Sequence, residues 1–252
     1  MTTSRTETAS IPVTGPGAAS DANAASPARR ESAAGLLVYA LTLLVLVASG
    51  AAPSPLYPVY QEEWTLPPVV LTLVFAVYVA GLLATLLTAG RLSDHIGRRP
   101  VILGALVVSV AAMLVFAFAH DGLALVVARI LQGLAIGLAT GALGAGMIDH
   151  QPSRRSGLAA FLNGVVPPVA LTVGALGSGF LVAYGPAPEE TVFVVLAALM
   201  VAAGVAVAFV PERQPRRAGA LITPWASLAT LLWHERLVSM GVHIKWSRYM
   251  LL

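Results

Sequence analysis

The loop at residues 90–100 groups charged residues with glycines between two apolar stretches, in the order Gly90-Arg91-Leu92-Ser93-Asp94-His95-Ile96-Gly97-Arg98-Arg99-Pro100. Gly90 and Gly97 allow a close backbone approach or a positive φ, and Pro100 suits the first turn of a helix. Asp94 can pair with a neighbouring arginine or cap a helix end. These residue types predict a tight turn held by charge pairs, with an ordinary basic loop beside a membrane as the alternative.

A second candidate for chemistry is Arg129, a basic residue inside an otherwise apolar stretch. A charge in hydrocarbon is costly unless it faces a cavity, a partner or the membrane surface. Gln132 follows three residues later, so on a helix the two side chains share one face and form a polar strip. Asp121 precedes Arg129 by eight residues, about 12 Å along a helix, which places Arg129 in the half of the span nearer Asp121. The residues alone leave two interpretations open, an arginine that faces a cavity or a partner inside the bundle and one that snorkels to the membrane surface.

The elements that carry these residues must lie in a membrane, because the composition does not suit a water-soluble domain. Of 252 residues, 57% are hydrophobic and 11% are charged, and the mean hydropathy is +0.81. A soluble domain has about a quarter of its residues charged. The absence of cysteine excludes disulfides, thiol catalysis and cysteine-ligated metals. The basic residues lie between apolar segments and form no single patch, which argues against nucleic acid as a partner.

Six apolar segments are each long enough to cross a bilayer, which takes about 17 to 25 residues in a helix. They lie at residues 33–56, 68–90, 100–119, 122–148, 157–184 and 191–210. Apolar and polar residues do not alternate, so the spans must be helices and not barrel strands. The predicted fold is all-α, a polytopic membrane protein with six transmembrane helices in one bundle at residues 33–210. We predict a disordered tail at residues 1–32 and a linker with an atypical end at residues 211–252.

Basic residues favour one orientation of this bundle. Arginines occur before the first helix, between the second and third, between the fourth and fifth, and after the sixth. The alternate loops contain glutamate, aspartate and histidine and no lysine or arginine. The positive-inside rule therefore places the N-terminal tail and the segment after the sixth helix in the cytoplasm. The predicted location is the cell membrane, either plasma or inner.

The charged loop resembles the signature loop between the second and third helices of the major facilitator superfamily, G-x-L-[SA]-D-[RK]-x-G-R-[RK]. The matching positions are Gly90, Leu92, Ser93, Asp94, Gly97, Arg98 and Arg99. In that family the loop is a cytoplasmic latch whose aspartate and arginine hold one gated state, so the resemblance implies a gate at these residues. His95 stands where arginine or lysine is usual, and a histidine close to Asp94 would make the latch sensitive to pH.

The fourth span resembles a second motif of the same family, l-x-x-x-R-x-x-q-G, at Leu125, Arg129, Gln132 and Gly133. The family's arginine faces the central cavity and is associated with proton coupling. The resemblance therefore implies that Arg129, Gln132 and Gly133 belong to a cavity and to the coupling of transport to protons.

Two further features bear on gating. Asp149 lies at the end of the fourth span, on the side of the charged loop, where it is a candidate partner for Arg98 or Arg99; a solvated helix end is the alternative. Pro167 and Pro168 remove backbone donors from the fifth helix and predict a hinge there. Proton-coupled drug antiporters of the superfamily carry a Gly-Pro pair in this helix, and this sequence has no such pair within it.

The resemblance implies a secondary transporter that moves a small solute or drug by alternating access, with protons as partners, the lipid bilayer around it and no cofactor. Family members have two six-helix bundles and this sequence predicts one, so we expect half of a transporter, truncated or paired with a second half or a second copy. The alternative is a non-transporting membrane fragment or an interaction subunit. Nothing in the sequence indicates an enzyme, because it has no phosphate-binding glycine-lysine loop and no pair of histidines at metal-ligand spacing within a span.

Overall fold

A computed structural model describes residues 27–89, 96–152 and 155–212, and within them the chain is helical without any strand. The helices are α1 (Pro27–Ala51), α2 (Tyr57–Glu63), α3 (Pro68–Ala89), α4 (Arg98–Ala117), α5 (Gly122–His150), α6 (Leu158–Tyr184) and α7 (Pro188–Phe209). A short 3-10 turn at Ser54–Leu56 joins α1 to α2. These residues form six stretches long and apolar enough to cross a membrane, the first running from Ala33 to Glu63 through α1 and α2. The predicted all-α fold with six spans is confirmed.

The helix ends differ from the predicted limits by a few residues, for local reasons. As described, α1 includes residues 27–32, which lie inside the segment for which we predicted a disordered tail. α7 begins at Pro188, where proline suits the first helical position and Glu189 and Glu190 complement the helix dipole. The limits of the three regions predicted from the sequence stay predictions.

The first span is broken near its C-terminal end. α1 ends at Ala51, and Pro53 and Pro55 follow in the connection to α2. Proline has no backbone N–H and therefore cannot continue the hydrogen-bond ladder of a helix. The chain forms a 3-10 turn at these prolines and then returns to an α-helix at Tyr57.

α5 is the central helix of the described bundle and contacts α1, α3, α4 and α6. Glycines on α5 allow α3 to come close. A Cβ atom added at Gly133 would collide with the Tyr78 carbonyl, and one added at Gly137 would collide with Thr85 and with the Leu82 carbonyl. This contact fixes how α5 is rotated about its axis, and hence which of its side chains point into the bundle.

Much of the apolar surface faces outward. Only 6% of the most apolar stretch of α3 is buried, against 50% for the corresponding stretches of α4 and α5. A helix with this much exposed apolar surface needs lipid or another apolar partner around it. The buried faces of α4 and α5 meet those of α1 and α7 in the core of the bundle.

Candidate functional site

The side chain of Arg129 lies inside the bundle and is 0% exposed. Four aromatic rings surround its guanidinium carbon, at centroid distances of 5.5 Å for Tyr57, 5.5 Å for Phe75, 5.1 Å for Tyr78 and 5.7 Å for Phe116. The rings belong to α2, α3 and α4, so three helices other than α5 enclose the charge. Each ring presents a negative π-face to which a cation is attracted.

Three hydrogen bonds hold the Arg129 guanidinium in place. Its Nε atom donates to the Tyr57 hydroxyl at 2.7 Å, and its Nη1 atom donates to the Gly50 carbonyl at 2.9 Å and to Gln132 Oε1 at 2.7 Å. Gln132 in turn donates from Nε2 to the Ser49 carbonyl at 2.8 Å. Arg129 and Gln132 of α5 are therefore both bonded to the broken first span.

Carbonyl dipoles and aromatic rings, rather than a carboxylate, balance this charge. Among the described residues no aspartate or glutamate forms an ion pair with Arg129. The Nη2 atom is buried and has no hydrogen-bond partner within the described part of the chain. The complete burial of the side chain rules out snorkelling to the membrane surface in this structure. The guanidinium lies between helices of one bundle and not on an exposed cavity wall.

A cavity of about 460 Å³ lies at the end of the bundle that carries Glu189 and Glu190, which we call the acidic end. Both glutamates line the cavity, together with Trp64, Phe116 and His120. The Phe116 ring also contacts the Arg129 guanidinium and stacks on Phe193 with 4.8 Å between the ring centroids. Phe116 thus both lines the cavity and contacts the buried charge.

The opposite end, which we call the basic end, carries an ion pair between two helices. Arg98 Nη1 and Asp149 Oδ2 are 2.6 Å apart, and the two side chains are 12% and 16% exposed. Arg98 begins α4 and Asp149 lies in the last turn of α5. Of the two arginines proposed from the sequence as partners of Asp149, the structure brings Arg98 to it.

Glu212, which follows α7, binds the start of α4. Its Oε1 atom accepts a hydrogen bond from the backbone N–H of Arg98 at 3.0 Å, and its Oε2 atom accepts one from the backbone N–H of Arg99 at 3.1 Å. The Arg99 guanidinium donates to the Ala208 carbonyl near the end of α7. A carboxylate at a helix N-terminus satisfies free N–H groups and complements the helix dipole. The basic end therefore ties the third, fourth and sixth spans together.

The structure locates only part of the charged loop. Gly90, Leu92 and Asp94 lie outside the described residues. Gly97 is the N-cap of α4 and has φ of 104°, which is a conformation that favours glycine. The predicted latch is thus described for its second half, Gly97 with Arg98 and Arg99, and its gating role stays a prediction.

The predicted hinge lies in a continuous helix. α6 runs from Leu158 to Tyr184 through Pro167 and Pro168 without interruption. The Thr172 hydroxyl donates to the Pro168 carbonyl at 3.0 Å. A role for the two prolines as a hinge stays a prediction.

The sequence did not reveal the roles of two residues, Tyr57 beside Arg129 and Glu212 at the start of α4. From the sequence, Tyr57 suits an aromatic belt at the membrane surface, yet it is 4% exposed and binds Arg129. Glu212 gave one signal, an acidic residue just after the last span and amid arginines. Within the described residues no group of three or more histidine, aspartate or glutamate side chains is placed to hold a metal ion.

Comparison with known proteins identifies a family and several relatives. The sequence model of the Major Facilitator Superfamily matches residues 39–251. Multidrug resistance protein MdtL of Klebsiella pneumoniae is 29% identical over 143 residues, which cover 56% of this chain and 35% of the relative. MdtL of Salmonella paratyphi B is 30% identical over 153 residues, which cover 58% of this chain and 37% of the relative. MdtL of Citrobacter koseri is 26% identical over 164 residues, which cover 64% and 41%. The match thus spans about a third to two fifths of the length of these relatives.

Proposed function

This chain belongs to the major facilitator superfamily, and from that premise we propose that it takes part in proton-coupled export of small molecules across the cell membrane. Export is proposed because the relatives described above are named as multidrug resistance proteins. The mechanism proposed is alternating access, in which two bundles rock about a site near the membrane midplane. The described bundle would supply one side of that site.

The observation that carries this proposal is the fully buried Arg129 in the fourth span. Ionisable residues at membrane depth are costly and mark substrate or proton pathways. The cavity at the acidic end adds support, since Phe116 both lines it and contacts the Arg129 guanidinium. A solute in this cavity would lie beside a residue that contacts a fixed positive charge.

Arg129 would act in coupling as a fixed charge and not as a proton carrier. A guanidinium does not release its proton in proteins. Its charge would instead favour the deprotonated form of an acidic group that approaches it during the transport cycle, so that protonation and movement of that group are linked. Gln132 holds Arg129 Nη1 at 2.7 Å and would keep the charge in one position during the cycle.

We further propose that the basic end faces the cytoplasm and acts there as the latch. The positive-inside rule supports this orientation. The Arg98–Asp149 pair and the Glu212 cap join three spans. The basic end would therefore move as one unit when the transporter changes state.

An efflux assay tests the proposed function. The 252-residue chain is produced in bacteria that lack their own drug exporters, and accumulation of a fluorescent organic cation such as ethidium is followed with and without a protonophore. We expect lower accumulation than in cells with the Arg129→Ala variant, and we expect the protonophore to remove that difference. Equal accumulation in the two strains, at equal amounts of protein in the membrane, would contradict the proposal.

A second candidate function is an interaction subunit that does not transport. It is favoured by α3, which leaves nearly all of its most apolar stretch unburied within the described bundle. The mass of the protein in lipid nanodiscs separates the two candidates. A pair of bundles would support transport. A lone bundle that shows no efflux, but binds a separately produced six-helix half, would support the interaction subunit.

A further inference from the structure

The break in the first span leaves a backbone carbonyl without its normal donor. In a continuous α-helix the carbonyl of Ser49 would accept a hydrogen bond from the backbone N–H of residue 53. Residue 53 is proline, which has no N–H to give. Ser49 is 0% exposed, so water cannot replace the missing donor. A buried carbonyl within a membrane span must find another partner.

Side chains of α5 provide donors at this break. Gln132 Nε2 donates to the Ser49 carbonyl at 2.8 Å, and Arg129 Nη1 donates to the next carbonyl, that of Gly50, at 2.9 Å. In a continuous helix the donor to Gly50 would be the N–H of Ser54, but α1 has ended at Ala51 and Ser54 begins the 3-10 turn. Two consecutive carbonyls at the break thus receive hydrogen bonds from another helix.

The orientation of the Gln132 amide follows from its two neighbours. Arg129 can only donate, so the Gln132 oxygen must face Arg129 Nη1, as it does at 2.7 Å. The NH₂ group then faces the Ser49 carbonyl, which can only accept. The hydrogen bond to Arg129 therefore sets the direction of the donor that serves Ser49.

Arg129 also contacts the chain beyond the break. Its Nη1 atom binds Gly50 at the end of α1, and its Nε atom binds the hydroxyl of Tyr57 at the start of α2. One rigid guanidinium thus bridges the two helical parts of the first span. Because the guanidinium is planar, it constrains both the distance and the angle between them.

We infer that Gln132 replaces the backbone donor that the first span lacks at Pro53, that Arg129 replaces the one that Gly50 loses where α1 ends, and that together they fix the break and the position of α2. This is a positioning role on the first span that does not depend on the proposed transport. It accounts for the spacing of the two residues, since side chains three positions apart on α5 serve consecutive carbonyls of α1.

A double-mutant experiment tests this inference. Pro53→Ala returns an N–H to position 53, so it should stabilise the Gln132→Leu variant more than it stabilises the unmodified protein. We expect the gain in melting temperature in detergent to be about 2 to 4 °C larger in the Gln132→Leu background. Equal gains in both backgrounds would show that Gln132 only fills space and would overturn the inference.

Pro55→Ala is the matched control. The donor missing at Pro55 would serve the carbonyl of Ala51, which Gln132 does not bind in this structure. We expect no specific rescue of Gln132→Leu by this change, and rescue equal to that by Pro53→Ala would also overturn the inference. If too little Gln132→Leu protein is obtained for unfolding measurements, the same comparison is made on the amount of folded protein in the membrane. We then expect Pro53→Ala, and not Pro55→Ala, to restore that amount.

Transport activity is not needed for this readout. A chain that shows the predicted rescue and no efflux would support the positioning role while contradicting the proposed function. A chain with proton-dependent efflux and no rescue would do the reverse.

Discussion

Arg98 and Asp149 form an ion pair that joins the start of α4 to the end of α5, with 2.6 Å between Nη1 and Oδ2. Both side chains are largely buried, at 12% and 16% exposure, so neither charge can be fully hydrated if the other is removed. The pair is a contact between spans and therefore bears on how the helices of the bundle are held together.

Removing one member of this pair should destabilise the bundle. We expect Asp149→Asn to cost about 1–3 kcal/mol, because it weakens the hydrogen-bond partner of a charged group with little access to water. The double variant with Arg98→Gln should lose less than the sum of the two single changes. Thermal unfolding in detergent measures each cost, with exposed Arg155→Ala as the control. Additive losses would mean that the two side chains do not interact in the folded protein.

The Glu212 cap gives a second prediction. Glu212→Ala removes the acceptor for two backbone N–H groups of α4 and should cost about 0.5–2 kcal/mol, as the loss of a helix cap usually does. Glu212→Gln keeps one acceptor oxygen, so its stability should lie between that of the unmodified protein and that of Glu212→Ala. The same unfolding assay applies, and Glu62→Ala, at an exposed position, is the control. A Glu212→Ala variant as stable as that control would contradict the cap.

Three glycines of α5 offer a graded test of helix packing. A Cβ at Gly133 would collide with the Tyr78 carbonyl, whereas a Cβ at Gly141 would have nothing within 4 Å among the described residues. We expect Gly133→Ala and Gly137→Ala to cost about 1–3 kcal/mol through overpacking against α3. Gly141→Ala should leave stability unchanged or raise it. The melting temperatures of the three variants test this packing. Three equal values would mean that α3 does not pack on α5 as described.

The orientation of the bundle in the membrane can be tested by cysteine labelling, because the sequence contains no cysteine that would react as well. Single cysteines are introduced at exposed positions of the two ends, by Glu62→Cys at the acidic end and Arg155→Cys at the basic end. A maleimide that does not cross membranes should label the first variant in intact cells. The second should react only after the cells are permeabilised. Labelling in the opposite order would reverse the proposed topology.

The sequence was sufficient for the six spans. Spans follow from hydrophobic length, because the bilayer thickness is fixed and the backbone must bond to itself. The break that the structure shows in the first span also has a local cause, because Pro53 and Pro55 lack an N–H wherever they lie in the tertiary structure. Asp149 was a candidate partner for an arginine of the charged loop because both must lie at the same end of a helical bundle.

Tertiary structure alone decided how Arg129 is used. The sequence placed it on one helix face with Gln132, but it did not show which helices face that side. That depends on the rotation of α5, which the close contact of Gly133 with α3 fixes. Tyr57 and Glu212 are 72 and 114 residues away from their partners Arg129 and Arg98, so no local pattern relates them. Hydrophobic length therefore determines which segments cross the membrane, whereas side-chain packing between helices determines which polar groups meet.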